Sequence, residues 1–290
     1  MKLPAFTYHR PETVDETLAL LSEYGDEAKI LAGGQSLIPL MALRLSQPAH
    51  LVDIGRLTEL ATIEAVDGVV IGALTRHAEV EHSKVVAAAA PLVAGAMPFV
   101  GHRAIRNRGT ACGSLAHADP AGELPAVALA LDAEFVLRRA DGERTVAAAD
   151  FFLGYLSSDV GDAELLTQVR VPRWSTSAGW SVQEVSRRHG DYALVGMAAV
   201  LDANSAGRIS HAAISLFGAA STPVRVNDAE RLLVGEVPSP ELFESAAEAV
   251  RANVDPPGDN HGTSAYRRHL AGVLTRRCLW EAVERMGGTA

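Results

Sequence analysis

Near the start of the chain a short apolar run meets two glycines, in Ile30-Leu31-Ala32-Gly33-Gly34-Gln35-Ser36-Leu37. A strand over residues 29–32 that runs into Gly-Gly cannot continue as a strand. Without Cβ atoms, Gly33 and Gly34 can take positive φ and let another group approach the main chain. Small polar residues then open the next helix, so backbone amides are left bare and converging, a setting that favours an anion. A tight turn would use the same residues, and this pair alone does not decide between the two. The spacing is not Gly-x-Gly-x-x-Gly, and no Gly-Lys-Ser/Thr follows, so neither standard nucleotide loop is present.

A second segment of the same character lies some seventy residues on, Arg106-Asn107-Arg108-Gly109-Thr110-Ala111-Cys112-Gly113-Ser114-Leu115-Ala116-His117-Ala118-Asp119-Pro120. It again combines small residues and hydroxyls with little side-chain bulk. His117 and Asp119 stand two apart, too few for a metal site without a third ligand, and Asp119-Pro120 reads as a turn opener. Arg103, Arg106 and Arg108 read as a solvated or partner-facing basic edge. Two anion loops on separate parts of one α/β region suit a long diphosphate threaded between subdomains. That favours a dinucleotide such as FAD over a mononucleotide.

The rest of the chain supplies the frame. Thr13-Val14-Asp15-Glu16 fits a capping box, apolar residues at Val14, Leu18 and Leu21 keep helical spacing, and Gly25 is a stop signal. Strands are expected at residues 51–54, 69–72, 134–137 and 165–171. Thr75 is expected to cap a helix over residues 77–80, and Pro91 and Pro98 divide residues 85–100 into two short buried helices. After Pro172, residues 174–179 read as a linker. Runs at 197–201 and 209–217 then read as strands, followed by helices over 228–234, 240–252 and 264–286. Strands followed by helices indicate an α+β C-terminal domain. The expected division is residues 1–56, 57–173 and 179–290.

Composition narrows the function. The 290 residues carry a formal charge of −9 and only 5% aromatics, which argues against a nucleic-acid surface. Cys112 and Cys278 are the two cysteines, too few for a disulfide framework, an iron–sulfur cluster or a four-thiolate zinc site. The first residues lack the apolar stretch of a signal peptide and no run is long enough to span a bilayer, so a soluble cytoplasmic protein is expected.

The ordered motifs resemble the FAD-binding medium subunit of molybdenum hydroxylases, of the carbon monoxide dehydrogenase type in the xanthine dehydrogenase superfamily. They run from Pro4-Ala5-Phe6-Thr7-Tyr8-His9-Arg10-Pro11 through the two glycine segments and Ile71-Gly72-Ala73-Leu74-Thr75-Arg76-His77. Past the linker they include Arg187-Arg188-His189-Gly190-Asp191-Tyr192-Ala193 and Ala265-Tyr266-Arg267-Arg268-His269-Leu270. The resemblance implies an α+β chain with a two-subdomain FAD-binding fold of the vanillyl-alcohol-oxidase type plus a C-terminal flavoprotein domain. By the same likeness Ala32, Gly33, Gly34, Gln35, Ser36 and Leu37 would wrap the FAD diphosphate. Thr110, Gly113 and Ser114 would form the second diphosphate loop. His117, Glu123, Leu166 and Tyr192 would lie towards the flavin. Cys112 replaces a glycine usual in the family, and a positive φ there would cost on the order of 1 kcal/mol.

In the resembled enzymes molybdopterin and 2Fe-2S clusters sit on partner subunits, and electrons pass from the clusters to FAD and on to an acceptor. The resemblance therefore implies an electron-transfer subunit with an iron–sulfur small subunit and a molybdenum large subunit as partners. The alternatives are a free-standing FAD oxidoreductase of the same superfamily or a non-catalytic FAD-binding protein.

Overall fold

The computed structural model describes residues 2–286. Met1 and residues 287–290, the end of the expected C-terminal domain, lie outside the described residues. The chain begins with β1 (Thr7–His9), α1 (Val14–Tyr24), β2 (Ala28–Leu31), α2 (Leu37–Ala42) and β3 (His50–Asp53). The strands form a parallel sheet in the order β1-β3-β2. In α1 the Thr13 hydroxyl accepts from the Glu16 amide, and the Glu16 carboxylate accepts from the amide of Glu12, one residue before the expected partner. Gly25 ends the helix at φ 51°. Val14, Leu18 and Leu21 form its buried face, as their spacing requires.

A five-stranded antiparallel sheet follows, ordered β4 (Ile63–Glu64), β5 (Gly68–Gly72), β10 (Leu165–Pro172), β6 (Glu134–Arg139), β7 (Gly142–Ala147). Between β5 and β6 run α3 (His77–His82), α4 (Lys84–Ala89), α5 (Pro91–Ala96), α6 (Arg103–Arg106), α7 (Ala111–His117) and α8 (Glu123–Ala130). Pro91 separates α4 from α5, and Ser83 divides α3 from α4, its hydroxyl accepting from the Val86 amide. Every residue of α8 is buried. Between β7 and β10 lie α9 (Ala148–Phe151) and a hairpin of β8 (Phe152–Gly154) and β9 (Ser157–Ser158). Thr75 does not cap α3. Arg76 occupies that position, and the Thr75 hydroxyl donates instead to the Thr62 carbonyl at 2.8 Å, tying β5 to the strand beside it.

The C-terminal part is an antiparallel sheet, β11 (Gly179–Ser186), β12 (Ala193–Ala203), β13 (Ile209–Phe217) and β14 (Val224–Arg225), followed by α10 (Asn227–Leu233), α11 (Pro240–Asn253) and α12 (Ser264–Arg285). β12 is buried along nearly its whole length because both faces are covered. Val195, Met197, Ala199 and Leu201 face a core shared with α10–α12, whereas Ala198 and Val200 join the core of the preceding sheets.

β11 was not expected, and its alternation explains why. Ser181 and Gln183 donate to the Glu281 carboxylate of α12 at 2.8 and 2.6 Å. Trp180 and Val182 pack on the opposite side, against the core of the earlier sheets. The polar face is satisfied by a residue about a hundred positions away, so the segment carries no local strand signal.

Candidate functional site: a cleft between two glycine loops

A cleft of about 710 Å3 opens between the parallel sheet and the helices over the antiparallel one. Its first wall is the turn from β2 into α2, with Ala32, Gly33, Gly34, Gln35, Ser36 and Leu37. Its second wall is the start of α7, with Thr110, Gly113, Ser114 and His117. Glu123 enters at the first residue of α8, Leu166 from β10, and Tyr192 from the connection between β11 and β12. All the site residues named from the sequence thus line one cavity, although they span most of the chain.

The two loops are in backbone contact. A Cβ on Gly33 would lie 2.4 Å from the Arg108 carbonyl oxygen and 2.7 Å from the Gly109 Cα, so only glycine allows this approach. The Arg76 guanidinium donates to the same Arg108 carbonyl. Gly34 has φ +71°, and its Cβ would point at Leu31 and Ile38. Its glycine is therefore required by the turn and not by space within the cleft. The Gln35 side-chain Nε2 donates to the Gly33 carbonyl at 3.0 Å and pins the loop.

This arrangement leaves donors free. Among the described residues, the amides of residues 33–37 have no protein acceptor, because the helical bonds of α2 begin with Ile38 and Leu40. The Ser36 hydroxyl makes no capping bond. On the facing wall the Thr110 hydroxyl accepts from the Gly113 amide at 3.2 Å and fixes the loop. Unpaired amides are costly when buried unless a ligand or water accepts from them. An oxyanion chain lying between the two loops would satisfy them.

The far end of the cleft differs in charge. Ala118 closes α7 in the left-handed conformation at φ 51°, turning the chain so that Asp119 and Glu123 both reach the cleft. The Asp119 carboxylate accepts from the Ala121 amide, the turn its sequence implied. Glu123 is 9% exposed, and burial, with Glu184 and Asp119 nearby, pushes its carboxyl up to about 7. Burial lowers His117, with Asp119 opposing that shift. Leu166 is buried, whereas Tyr192 stands exposed at the rim. Among the described residues no group of three or more His, Cys, Asp or Glu side chains could hold a metal.

Two expectations need correction. Cys112 does not occupy a positive-φ position; it lies in the first turn of α7, buried, with its thiol directed at the Ile71 carbonyl. Burial pushes that thiol up to about 12. The strain foreseen for replacing glycine here does not arise. Arg106 is likewise not part of an exposed basic edge. It is buried, pairs with Glu81 at 2.7 Å and donates to the Gly101 carbonyl, so it ties α6 to α3. Arg103 and Arg108 remain exposed.

Several lining residues escaped sequence reasoning. His77 lies under the second loop, where a Cβ on Gly109 would sit 2.9 Å from its ring. Both its nitrogens are buried without partners, and burial lowers it to about 4. His102, Lys29 and the hairpin residues Leu156, Ser157 and Ser158 also line the cleft. The Ser158 hydroxyl donates to the Ala116 carbonyl and anchors the hairpin to α7. His77 belonged to a quoted motif and offered a signal; the hairpin offered none.

Comparison with known proteins agrees with this geometry. Residues 4–174 match the FAD binding domain in molybdopterin dehydrogenase, and residues 180–282 match the CO dehydrogenase flavoprotein C-terminal domain. The 6-hydroxypseudooxynicotine dehydrogenase complex subunit alpha of Paenarthrobacter nicotinovorans is 41% identical, covering 98% of this chain and 97% of its own. The carbon monoxide dehydrogenase medium chain of Hydrogenophaga pseudoflava is 39% identical over 95% and 96%. A solved structure of carbon monoxide dehydrogenase from that organism, lacking the Mo-pyranopterin moiety, superimposes with a TM-score of 0.96 at 40% identity, covering 99% of this chain and 100% of the other.

Fold and cleft together define a two-domain FAD-binding subunit of mixed α/β architecture. The chain belongs to the FAD-binding medium subunits of the molybdenum hydroxylases, of the carbon monoxide dehydrogenase type. It is the FAD subunit of a multi-subunit molybdenum-dependent oxidoreductase, and among the described residues no helix is long and apolar enough to cross a membrane.

Proposed function

We propose that the cleft holds FAD non-covalently and that the chain passes electrons from iron–sulfur clusters on a small partner subunit through FAD to an external acceptor. In this reading the diphosphate lies between residues 32–37 on one side and Thr110, Gly113 and Ser114 on the other. The unpaired amides of residues 33–37, held against the second loop by the Gly33 contact, carry the reading. His117 and Glu123 then lie towards the flavin, with Leu166 against the ring and Tyr192 at its rim. The residue ranges 1–56 and 57–173 serve as the two halves of the cradle, and 179–290 as the domain that closes its far end.

FAD, when bound, supplies the exchange between electrons delivered singly and electrons released as a pair. The protein's own residues position and shield it. Loop amides bind the phosphates, and the Ser158 anchor keeps the hairpin wall in place. Cys112 lines the cleft but its thiol is kept neutral by burial, which suits a non-covalent site. Substrate hydroxylation belongs to a large molybdenum subunit, and the exposed Arg103 and Arg108 beside the second loop offer a docking edge for the iron–sulfur subunit. The buried, unpaired state of both thiols accords with a cytoplasmic setting.

The experiment is co-expression with candidate small and large subunits, followed by pull-down and substrate-driven flavin reduction. Flavin should be released by acid precipitation and should be reduced by substrate only in the assembled complex. Flavin that stays with the pellet, or reduction by substrate in the lone chain, contradicts the reading.

A further inference from the structure

The hairpin wall of the cleft holds one residue in a conformation that its side chain disfavours. Between β8 and β9 the turn is Tyr155-Leu156, and Leu156 lies in the left-handed region at φ 52°. A side chain there crowds its own backbone, and turns that need this conformation usually take glycine or asparagine. The hairpin does contain a glycine, Gly154. Its φ is not left-handed, and a Cβ there would meet nothing within 4 Å. The leucine thus stands where the turn resists it, and the glycine where the turn does not require one.

Both legs of the hairpin are anchored. Phe152 in β8 packs edge-on against Phe151 and Phe135, with ring centroids 5.2 and 5.9 Å apart. In β9 the Ser158 hydroxyl donates to the Ala116 carbonyl at 3.0 Å, one residue before His117. Just beyond, the Asp159 amide donates to the Phe151 carbonyl at 2.8 Å, and the Asp159 carboxylate pairs with Arg144. Strain persists where its neighbours over-determine it, and such positions cluster at ligand clamps. The Ser158 bond sets the turn at the His117 end of the cleft, which Leu156 lines while 36% exposed.

We propose that the strained turn holds Leu156 at the flavin end of the cleft as an apolar cover, shielding the isoalloxazine from water and slowing the release of FAD. This rests on the FAD reading of the cleft. Leu156 exchanges neither protons nor electrons with the cofactor. The left-handed backbone is the cost of presenting an aliphatic side chain where turn chemistry calls for glycine.

The test compares Leu156→Asn with Leu156→Met in the full chain loaded with FAD, with loading read from flavin absorbance. Asparagine suits the left-handed turn but is polar, whereas methionine is apolar and strains the turn as leucine does. The Leu156→Asn apoprotein should melt no lower than wild type. It should nevertheless lose FAD about tenfold faster, the worth of one leucine's partial apolar cover, and let iodide quench the flavin about twice as strongly. Leu156→Met should keep wild-type release and quenching. Cover and turn stability are then separated, which a role in folding alone would not produce. Wild-type release and quenching in Leu156→Asn, or their loss together with a lowered melting temperature, overturns the proposal and leaves the FAD reading intact. So does a methionine variant that releases FAD as fast as the asparagine one. Wild-type chain that takes up no FAD overturns the FAD reading, and this proposal with it.

Discussion

Replacing Gly33 by alanine tests whether the two loops act as one clamp. The added Cβ would meet the Arg108 carbonyl oxygen at 2.4 Å and the Gly109 Cα at 2.7 Å, both backbone atoms that no rotamer change can move. Ordinary contact begins near 3.4 Å, so the loops must part by about 1 Å. Forcing an extra carbon into such a contact costs about 1–3 kcal/mol of folding stability. Binding should lose more. A charge-assisted amide hydrogen bond contributes about 1.5–3 kcal/mol, and a 1 Å shift misaligns at least one. A loss of about 3 kcal/mol is roughly a hundredfold in affinity. Titration of FAD into apoprotein, followed by flavin fluorescence, measures the affinity, and thermal melting of the same samples measures the stability. Wild-type affinity together with wild-type melting in Gly33→Ala would refute the clamp.

Further outcomes follow from the same geometry. Glu123→Gln should stabilise the apoprotein by about 3 kcal/mol at pH 8 and very little at pH 4.5, since each pH unit of a carboxyl's displacement is worth about 1.4 kcal/mol. The sign follows from a folded-state value raised to about 7: wild type binds the extra proton, so its stability falls as pH rises from 4.5 through 7, as urea unfolding at both pH values would reveal. Arg106→Glu should destabilise the fold by about 3–5 kcal/mol through the buried Glu81 pair, whereas Arg108→Glu should melt like wild type and weaken subunit assembly in pull-downs at low salt. Cys112→Gly should lower stability by about 2 kcal/mol in calorimetry, from the vacated space and the helical glycine, and change FAD affinity less than twofold.

Much of the cleft was legible because its chemistry is local. Gly33-Gly34 after an apolar run forces a strand–loop–helix turn whatever surrounds it, and Thr110 caps α7 from three residues away. The buried face of α1 could be read from its helical spacing for the same reason. Side-chain direction was not legible where a distant partner sets it. Arg106 turns inward because Glu81 and the Gly101 carbonyl await it, and nothing in residues 103–108 encodes that choice. Glu281 hides β11 in the same way, and Thr62 draws Thr75 away from the helix it was expected to cap. Cys112 misled by family analogy: the glycine usual there invites an argument from positive φ, but the position is helical.

The central claim is that the amides of residues 33–37 bind the FAD diphosphate. Hydrogen exchange of those amides, with and without FAD, tests it most directly, because they have no acceptor within the described protein. They should exchange rapidly in the apoprotein and become at least tenfold slower when one equivalent of FAD is bound, together with the first residues of α7. Stoichiometric FAD binding that leaves residues 33–37 exchanging at the apoprotein rate would contradict it.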